Sequence, residues 1–361
     1  MVPAGVQAPF DLDLDGIVDA VGAPCWDALR GQRIFLTGGT GFLGKWMLAS
    51  LRRADDRLSL GCEITVLSRR PAAFQAEASF LASWSRLRLV QGDVRSFEIP
   101  NAAYDIVVHA ATDVVAAAEP LDIFDSCVQG TRRVLDFSVH SGAKRVLLVS
   151  SGAMYGRQPN DDAGVAEDYE GAPVIGDVRS AYGEGKRVTE WLGAAYASLK
   201  GLDVRVARCF AFIGPYLPLD KHFALGNFLR DAMANLPIVI QGDGTAKRTY
   251  LYAADMTTWL WAILLRGEHG GTYNVGGDEA VSMAELAQRV VHVLGAEGGV
   301  VVRKQATAGM APDRYVPDTR KARASLMLPA PLPLDEAIAR TAAWHGHARV
   351  DSSDPAALAA H

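Results

Sequence analysis

A β-branched, apolar run, Ile34-Phe35-Leu36-Thr37, leads directly into Gly38-Gly39-Thr40-Gly41-Phe42-Leu43-Gly44-Lys45 and then into a helical pattern. Glycines clustered at a strand-to-helix junction leave few ways for the chain to fold, and this is the context that a dinucleotide-binding fingerprint requires. Gly38 and Gly39 allow a tight turn. Gly41 lets the backbone approach a pyrophosphate, and Gly44 lets the helix pack close on the strand. The first helical turn, through Phe42 and Leu43, presents free N–H groups and the positive end of a helix dipole to phosphates.

The same rhythm continues downstream. Short apolar runs at 33–37, 63–67, 87–91, 105–109, 145–150 and 203–208 read as strands. Most are nearly continuous rather than alternating, as expected of strands covered on both faces. Helical patterns lie between them at 42–53, 121–141 and 182–199. Strand–helix alternation predicts an α/β fold with a doubly wound parallel sheet. After Arg208 the rhythm breaks into a Gly-, Pro- and aromatic-rich stretch with one helix at 224–235. A helix and strand at 254–265 and 271–275 are positioned to return to the sheet. The expected organisation is therefore an N-terminal extension (1–30) and a dinucleotide-binding domain (31–208, with 254–278 returning to it). A smaller mixed C-terminal substrate-binding lobe (209–253 and 279–346) and a tail (347–361) complete it.

Composition narrows the class of partner. The chain has 361 residues, enough for about two folding units of roughly 150 residues. Its formal charge of −5, with no basic block, argues against nucleic acid and anionic membranes as partners. No apolar stretch is long enough to span a bilayer, and the N-terminus lacks the pattern of a signal peptide. The cytoplasm is the expected location. Cys25, Cys62, Cys127 and Cys209 have no CxxC spacing, so reduced thiols are expected rather than a disulfide framework or a metal site.

The second strand ends Leu67-Ser68-Arg69-Arg70. A carboxylate there would hold the ribose 2′-OH of NAD; two guanidinium groups suit a 2′-phosphate instead. NADP(H) is thus favoured, with NAD(H) as the alternative. Asp93 and Val94 after the third strand are positioned to meet the adenine, and Ala110 and Ala111 after the fourth to line the nicotinamide side. His109 reads equally well as a packed strand-end histidine.

Tyr182-Gly-Glu-Gly-Lys186 places a phenol and an ammonium on one helix face. A tyrosine working near neutrality needs its pKa lowered by roughly three units, which a nearby cation and an oxidised nicotinamide would supply. Gly183 and Gly185 would leave room for the cofactor. Ser151, in Ser150-Ser151-Gly152-Ala153-Met154-Tyr155-Gly156, lies at the carboxyl end of the fifth strand, where ligands of such sheets sit. It reads as a substrate hydrogen-bond partner or as a turn serine.

Together these motifs resemble the extended short-chain dehydrogenase/reductase family that modifies nucleotide-activated sugars, over roughly residues 32–345. The resemblance implies a Rossmann sheet and a catalytic set of Ser151, Tyr182 and Lys186, with Tyr182 transferring the proton and Lys186 also binding the cofactor ribose. It implies that Asn227, Arg248 in Gly242–Arg248, and Arg314 in Arg314-Tyr-Val-Pro317-Asp318 contact the diphosphate and nucleoside of the substrate. It also implies a homodimer through the helices at 121–141 and 182–199. Dehydratases and decarboxylases of that family resemble Ser-Thr-Asp-Glu or Ser-Thr-Ser-Glu where this chain has Gly152 and Ala153, which cannot move protons. Elimination is therefore disfavoured unless a carboxylate such as Asp113 approaches from elsewhere. Cys127 stands where relatives often carry Asn. The expected reaction is hydride transfer at C4, foremost reduction of a 4-keto sugar nucleotide. A 4-epimerase with retained cofactor is the alternative; a 4,6-dehydratase or a non-catalytic NADP-binding sensor ranks lower.

Overall fold

The computed structural model describes residues 7–112, 119–160, 163–221, 223–307 and 309–347. Six strands form at the apolar runs: β1 (Arg33–Thr37), β2 (Glu63–Ser68), β3 (Leu87–Gln91), β4 (Ile106–His109), β5 (Arg145–Ser151) and β6 (Val204–Cys209). A seventh, β7 (Thr272–Val275), returns and pairs with β6. The order is β3-β2-β1-β4-β5-β6-β7, and every neighbouring pair is parallel. The chain winds outward from β1 to β3, then crosses back to β4. That reversal opens a crevice at the carboxyl ends of β1 and β4, the usual ligand position in such sheets.

Alternate strand residues face two helical layers. Ile34, Leu36, Ile64, Val66, Ile106, Val108, Leu147 and Val149 share one core with residues of α1 (Gln7–Val21), α2 (Phe42–Leu58) and, after the sheet's return, the helix Ala253–Arg266. Phe35, Leu67, Val107, Val146, Leu148, Val204 and Val206 pack with residues of α3 (Pro120–His140) and α4 (Ala181–Lys200) on the other face. The N-terminal segment is more than an extension. Phe10, Leu14, Ile17, Val18 and Val21 recur at helical spacing and are all buried. On the helix's other side Asp15 pairs with Arg53 and Arg57, and Asp19 with Arg57, all from α1 to α2.

The C-terminal lobe has its own core, built from the helices Ala224–Met233, Met283–Leu294 and Leu334–Trp344. A capping box between Ser282 and Glu285 starts the second of these. A small sheet joins Lys247–Arg248 to Val281–Ser282 and to Arg314–Tyr315. The lobe is tied to α1 by Asp13, which accepts from Arg340 Nη1 at 2.5 Å and from the Tyr252 hydroxyl at 2.6 Å.

Beside this clasp, Asp255 accepts the Leu332 backbone N–H at 2.8 Å. Burial pushes its carboxyl up to about 6, and Asp13 adds to the push. A carboxyl raised on folding contributes stability that is complete below its unfolded value near 3.8 and is lost as pH rises to about 6. Asp255→Asn keeps the hydrogen bond and removes the charge. Its melting temperature relative to wild type is expected to rise between pH 4 and 6 and then level off. A pH-independent difference in thermal denaturation would contradict this.

Candidate active site

The glycine turn sits at the mouth of the β1–β4 crevice, and each glycine is needed for a different reason. Gly38 has φ +74°, and a Cβ there would lie 2.6 Å from the Ala110 carbonyl. A Cβ on Gly44 would come within 2.3 Å of the Gly38 carbonyl oxygen, so the helix can approach the turn only as glycine. A Cβ on Gly41 would meet nothing nearer than 3.4 Å. Its side is open, and as the helix N-cap it offers no side-chain acceptor. The first-turn N–H groups of Phe42, Leu43 and Gly44 are thereby left for an anion. These features fit a dinucleotide pyrophosphate.

Ser68 is buried at the end of β2 and its hydroxyl accepts the Arg70 N–H, while Arg69 and Arg70 are exposed. Asp93 is held by Arg95, at 3.0 Å from Nε and 2.9 Å from the backbone N–H, and this keeps its carboxyl below the usual range. Val94 packs where a Cβ on Gly130 would stand. Ala110 and Ala111 donate their N–H groups to the Thr37 carbonyl and hydroxyl, placing both against the turn. His109 is a packed histidine, held between the Thr37 and Thr131 hydroxyls; burial pushes its pKa down to about 3. It is therefore held in its neutral form.

Tyr182 and Lys186 lie one turn apart on α4, with the ammonium 5.8 Å from the phenol ring centroid. Lys186 is only 3% exposed and donates to the Val149 carbonyl at 2.7 Å and the Thr112 hydroxyl at 2.8 Å. Burial lowers its pKa. Burial also raises the Tyr182 pKa well above the ordinary phenol range, with Tyr315 adding to the rise and Ser151 opposing it by a hydrogen bond. The lowering expected from Lys186 is thus absent from the protein alone, because desolvation dominates and the ammonium is engaged elsewhere. Ser151 caps the turn Gly152–Tyr155 by accepting the Ala153 N–H, and its hydroxyl lies 3.1 Å from the Tyr315 phenol.

The room expected at Gly183 and Gly185 is filled by protein. A Cβ on Gly183 would strike the Ala153 carbonyl at 2.6 Å, and one on Gly185 the Cys127 Cβ at 2.6 Å. Both glycines serve close helix packing, not cofactor access. Gly152 is similarly committed: a Cβ there would lie 2.6 Å from the Phe210 ring. Asp113, the carboxylate considered as a substitute acid, lies outside the described residues.

Of the lobe residues, Arg248 and Arg314 lie on neighbouring strands, in register with Tyr315 and Lys247 respectively, so their side chains leave opposite faces. Arg314 is 6% exposed and donates Nη2 to the Ala163 carbonyl, but its buried Nε has no partner among the described residues. A buried guanidinium N–H left unsatisfied is costly and suits an anionic ligand. Arg248 pairs with Asp313 at 2.7 Å. Asn227 is on a separate element, the helix Ala224–Met233, and its carbonyl accepts from Arg230.

Sequence reasoning missed three residues of the site: Thr112, Phe210 and Tyr315. Tyr315 lies next to Arg314, and its phenol is 3.1 Å from the Ser151 hydroxyl. Adjacency to Arg314 in the sequence was the signal that could have pointed to it.

Residues 34–276 match the model of the NAD dependent epimerase/dehydratase family. UDP-glucuronic acid decarboxylase 1 of Arabidopsis thaliana is 29% identical over 311 residues, spanning 85% of this chain and 68% of its own. A dTDP-glucose 4,6-dehydratase from Streptomyces venezuelae, solved with NAD bound, is 26% identical at a TM-score of 0.74, covering 87% of this chain and 97% of that one. UDP-glucose 4-epimerase from Thermotoga maritima shares the fold, at a TM-score of 0.72 and 20% identity, covering 87% and 98%.

The glycine geometry separates two outcomes. Gly41→Ala is expected to leave the melting temperature nearly unchanged while weakening dinucleotide binding at least tenfold by calorimetry. Gly44→Ala is expected to destabilise the fold by about 1–3 kcal/mol, the usual cost of overpacking. Equal melting temperatures for the two variants would overturn the assignment.

Proposed function

The chain belongs to the NAD dependent epimerase/dehydratase family, and within it we propose that it is a reductase that converts a 4-keto sugar nucleotide to the alcohol at the expense of NADPH. The observation that carries this reading is the pairing of an intact Ser151–Tyr182–Lys186 set with Gly152 packed on Phe210 and a methyl group at Ala153. Proton transfer to oxygen is provided for, whereas acid–base work at a neighbouring carbon is not provided at these two positions.

The bound dinucleotide would supply the hydride, and its oxidised ring a positive charge that lowers the Tyr182 pKa. Tyr182 gives its proton to the carbonyl oxygen as the hydride arrives at carbon, leaving an alcohol and a phenolate that solvent reprotonates. Ser151 hydrogen-bonds the same oxygen as its charge develops. Lys186, anchored to Val149 and Thr112, holds the cofactor ribose and the orientation of the phenol. Arg69 and Arg70 favour a 2′-phosphate, hence NADPH. The Nε of Arg314, without a partner among the described residues, and Arg248 on the neighbouring strand are the groups assigned to the substrate diphosphate.

The deciding assay adds NADPH, or NADH, and a 4-keto sugar nucleotide to the purified protein. Oxidation of NADPH only when the keto sugar is present is the expected result. Nicotinamide carried through gel filtration, with interconversion of sugar epimers, would establish the epimerase instead. Tyr182→Phe is expected to reduce turnover by about 10²–10⁴-fold with NADPH affinity within twofold, the range typical of a lost general acid. Lys186→Ala should harm both. A Tyr182→Phe enzyme with most of its activity would refute the role of the phenol.

A second copy of the chain is the expected partner, through α3 and α4. Trp191 is 67% exposed and Leu199 77% exposed on α4, as is Leu121 on α3. Exposed apolar side chains on both helices support an association surface there. Trp191→Glu is expected to convert a dimer to a monomer in light scattering, and a monomeric wild type would refute the arrangement.

A further inference from the structure

The Ser151 hydroxyl is engaged within the protein on two sides. Its oxygen accepts the Ala153 N–H at 3.2 Å and lies 3.1 Å from the Tyr315 phenol. A serine hydroxyl donates one hydrogen bond and accepts two. Ala153 takes one acceptor place, so what Ser151 can offer a reacting oxygen depends on which way its contact with Tyr315 runs. Tyr315 has a further partner, since its O–H reaches the Cys209 carbonyl at 3.2 Å.

Two arrangements fit these contacts. In the first, Ser151 donates to Tyr315, and Tyr315 to the Cys209 carbonyl. In the second, Tyr315 turns its O–H from the carbonyl to Ser151, and the Ser151 proton is released for a negative oxygen in the site, such as the Tyr182 phenolate. We propose that Tyr315 is a positioning residue for proton transfer, whose rotating O–H frees the Ser151 proton for the charge that develops as Tyr182 gives up its own. This rests on the reading of Tyr182 as the proton donor in hydride transfer. No proton leaves Tyr315; only its orientation changes.

The surroundings of Tyr315 suit that task. Its ring packs against Phe210 at a tilt of 41° with centroids 4.7 Å apart, and the Arg248 guanidinium lies 5.8 Å from its centroid. The ring is held while the hydroxyl remains free to rotate. Burial pushes the Tyr315 phenol up to about 12, so it stays protonated and able to donate. Without it, Ser151 would still reach a phenolate, but with only the Ala153 N–H polarising its oxygen, and a shorter hydrogen-bond chain stabilises charge less.

Tyr315→Phe keeps the ring and removes the donor. Its kcat for reduction is expected to fall about tenfold, with KM for NADPH and for the keto sugar within twofold. The alkaline limb of the kcat–pH profile should move up by about one pH unit, because a phenolate with weaker support forms at higher pH. In a Ser151→Ala background the same change should cost nothing further. Unchanged kcat, an unmoved alkaline limb or additive losses would each overturn the proposal. A second readout is independent of turnover. With NADP+ bound, the pH titration of tyrosinate absorbance, taken as the difference between proteins with Tyr182 and with Tyr182→Phe, should show a higher midpoint when residue 315 is Phe. An equal midpoint overturns the role of Tyr315. Absence of NADPH oxidation by the wild type with any keto sugar nucleotide defeats the proposed reaction instead, and leaves this titration decisive for Tyr315.

Discussion

Seven strands running in one direction put every carboxyl end on one edge of the sheet, and the site is assembled from the segments that leave those ends. β1 delivers the glycine turn, β2 the arginine pair, β4 the alanines and Thr112, β5 Ser151, and β6 Phe210. An antiparallel sheet would send half of these to the far side. The buried Lys186 ammonium locks the helix carrying Tyr182 onto that edge through the Val149 carbonyl. Burying an ammonium is costly unless it is hydrogen-bonded, so α4 has little freedom to rotate about its axis without losing both bonds.

A polar network behind the edge reinforces this. Arg208 on β6 pairs with Glu190 on α4 at 2.8 Å, and both side chains are nearly buried. Ser150 donates to the same carboxylate, while Arg208 donates to the Tyr155 hydroxyl, which in turn donates to Asn274 on β7. Removing one partner of such a buried pair typically costs about 3–5 kcal/mol, because the other charge is left uncompensated. The network joins three strands to the helix that carries Tyr182, so the stability of the protein and the alignment of that phenol share one set of contacts.

Much of this was legible in the sequence. The sheet strands could be read because strands covered on both faces leave continuous apolar runs, and the glycine turn because steric needs there admit no side chain. What escaped was decided by packing between distant segments. The glycines at 183 and 185 looked like space for a ligand, yet Ala153, Pro173 and Cys127 fill it. Tyr182 was expected to be acidified by Lys186, but spacing on a helix says nothing about desolvation or about the acceptors that engage the ammonium. Tyr315 reaches Ser151 across 164 positions of sequence, and no local pattern announces such a meeting. The residues of α1 carried a helical apolar stripe, but its partners on the Phe42–Leu58 and Ala253–Arg266 helices emerge only in three dimensions.

The clasp between the two ends of the chain bears on biosynthesis. Asp13 meets Arg340 across 327 positions, and the Phe10 and Trp344 rings lie 5.2 Å apart. The stripe of α1 gains its first cover as soon as the Phe42–Leu58 helix has been made, but the Asp13 carboxylate beside it waits for its guanidinium until the Leu334–Trp344 helix has docked. Closure of the clasp is therefore a late event in synthesis, and it reports that the C-terminal lobe has been completed.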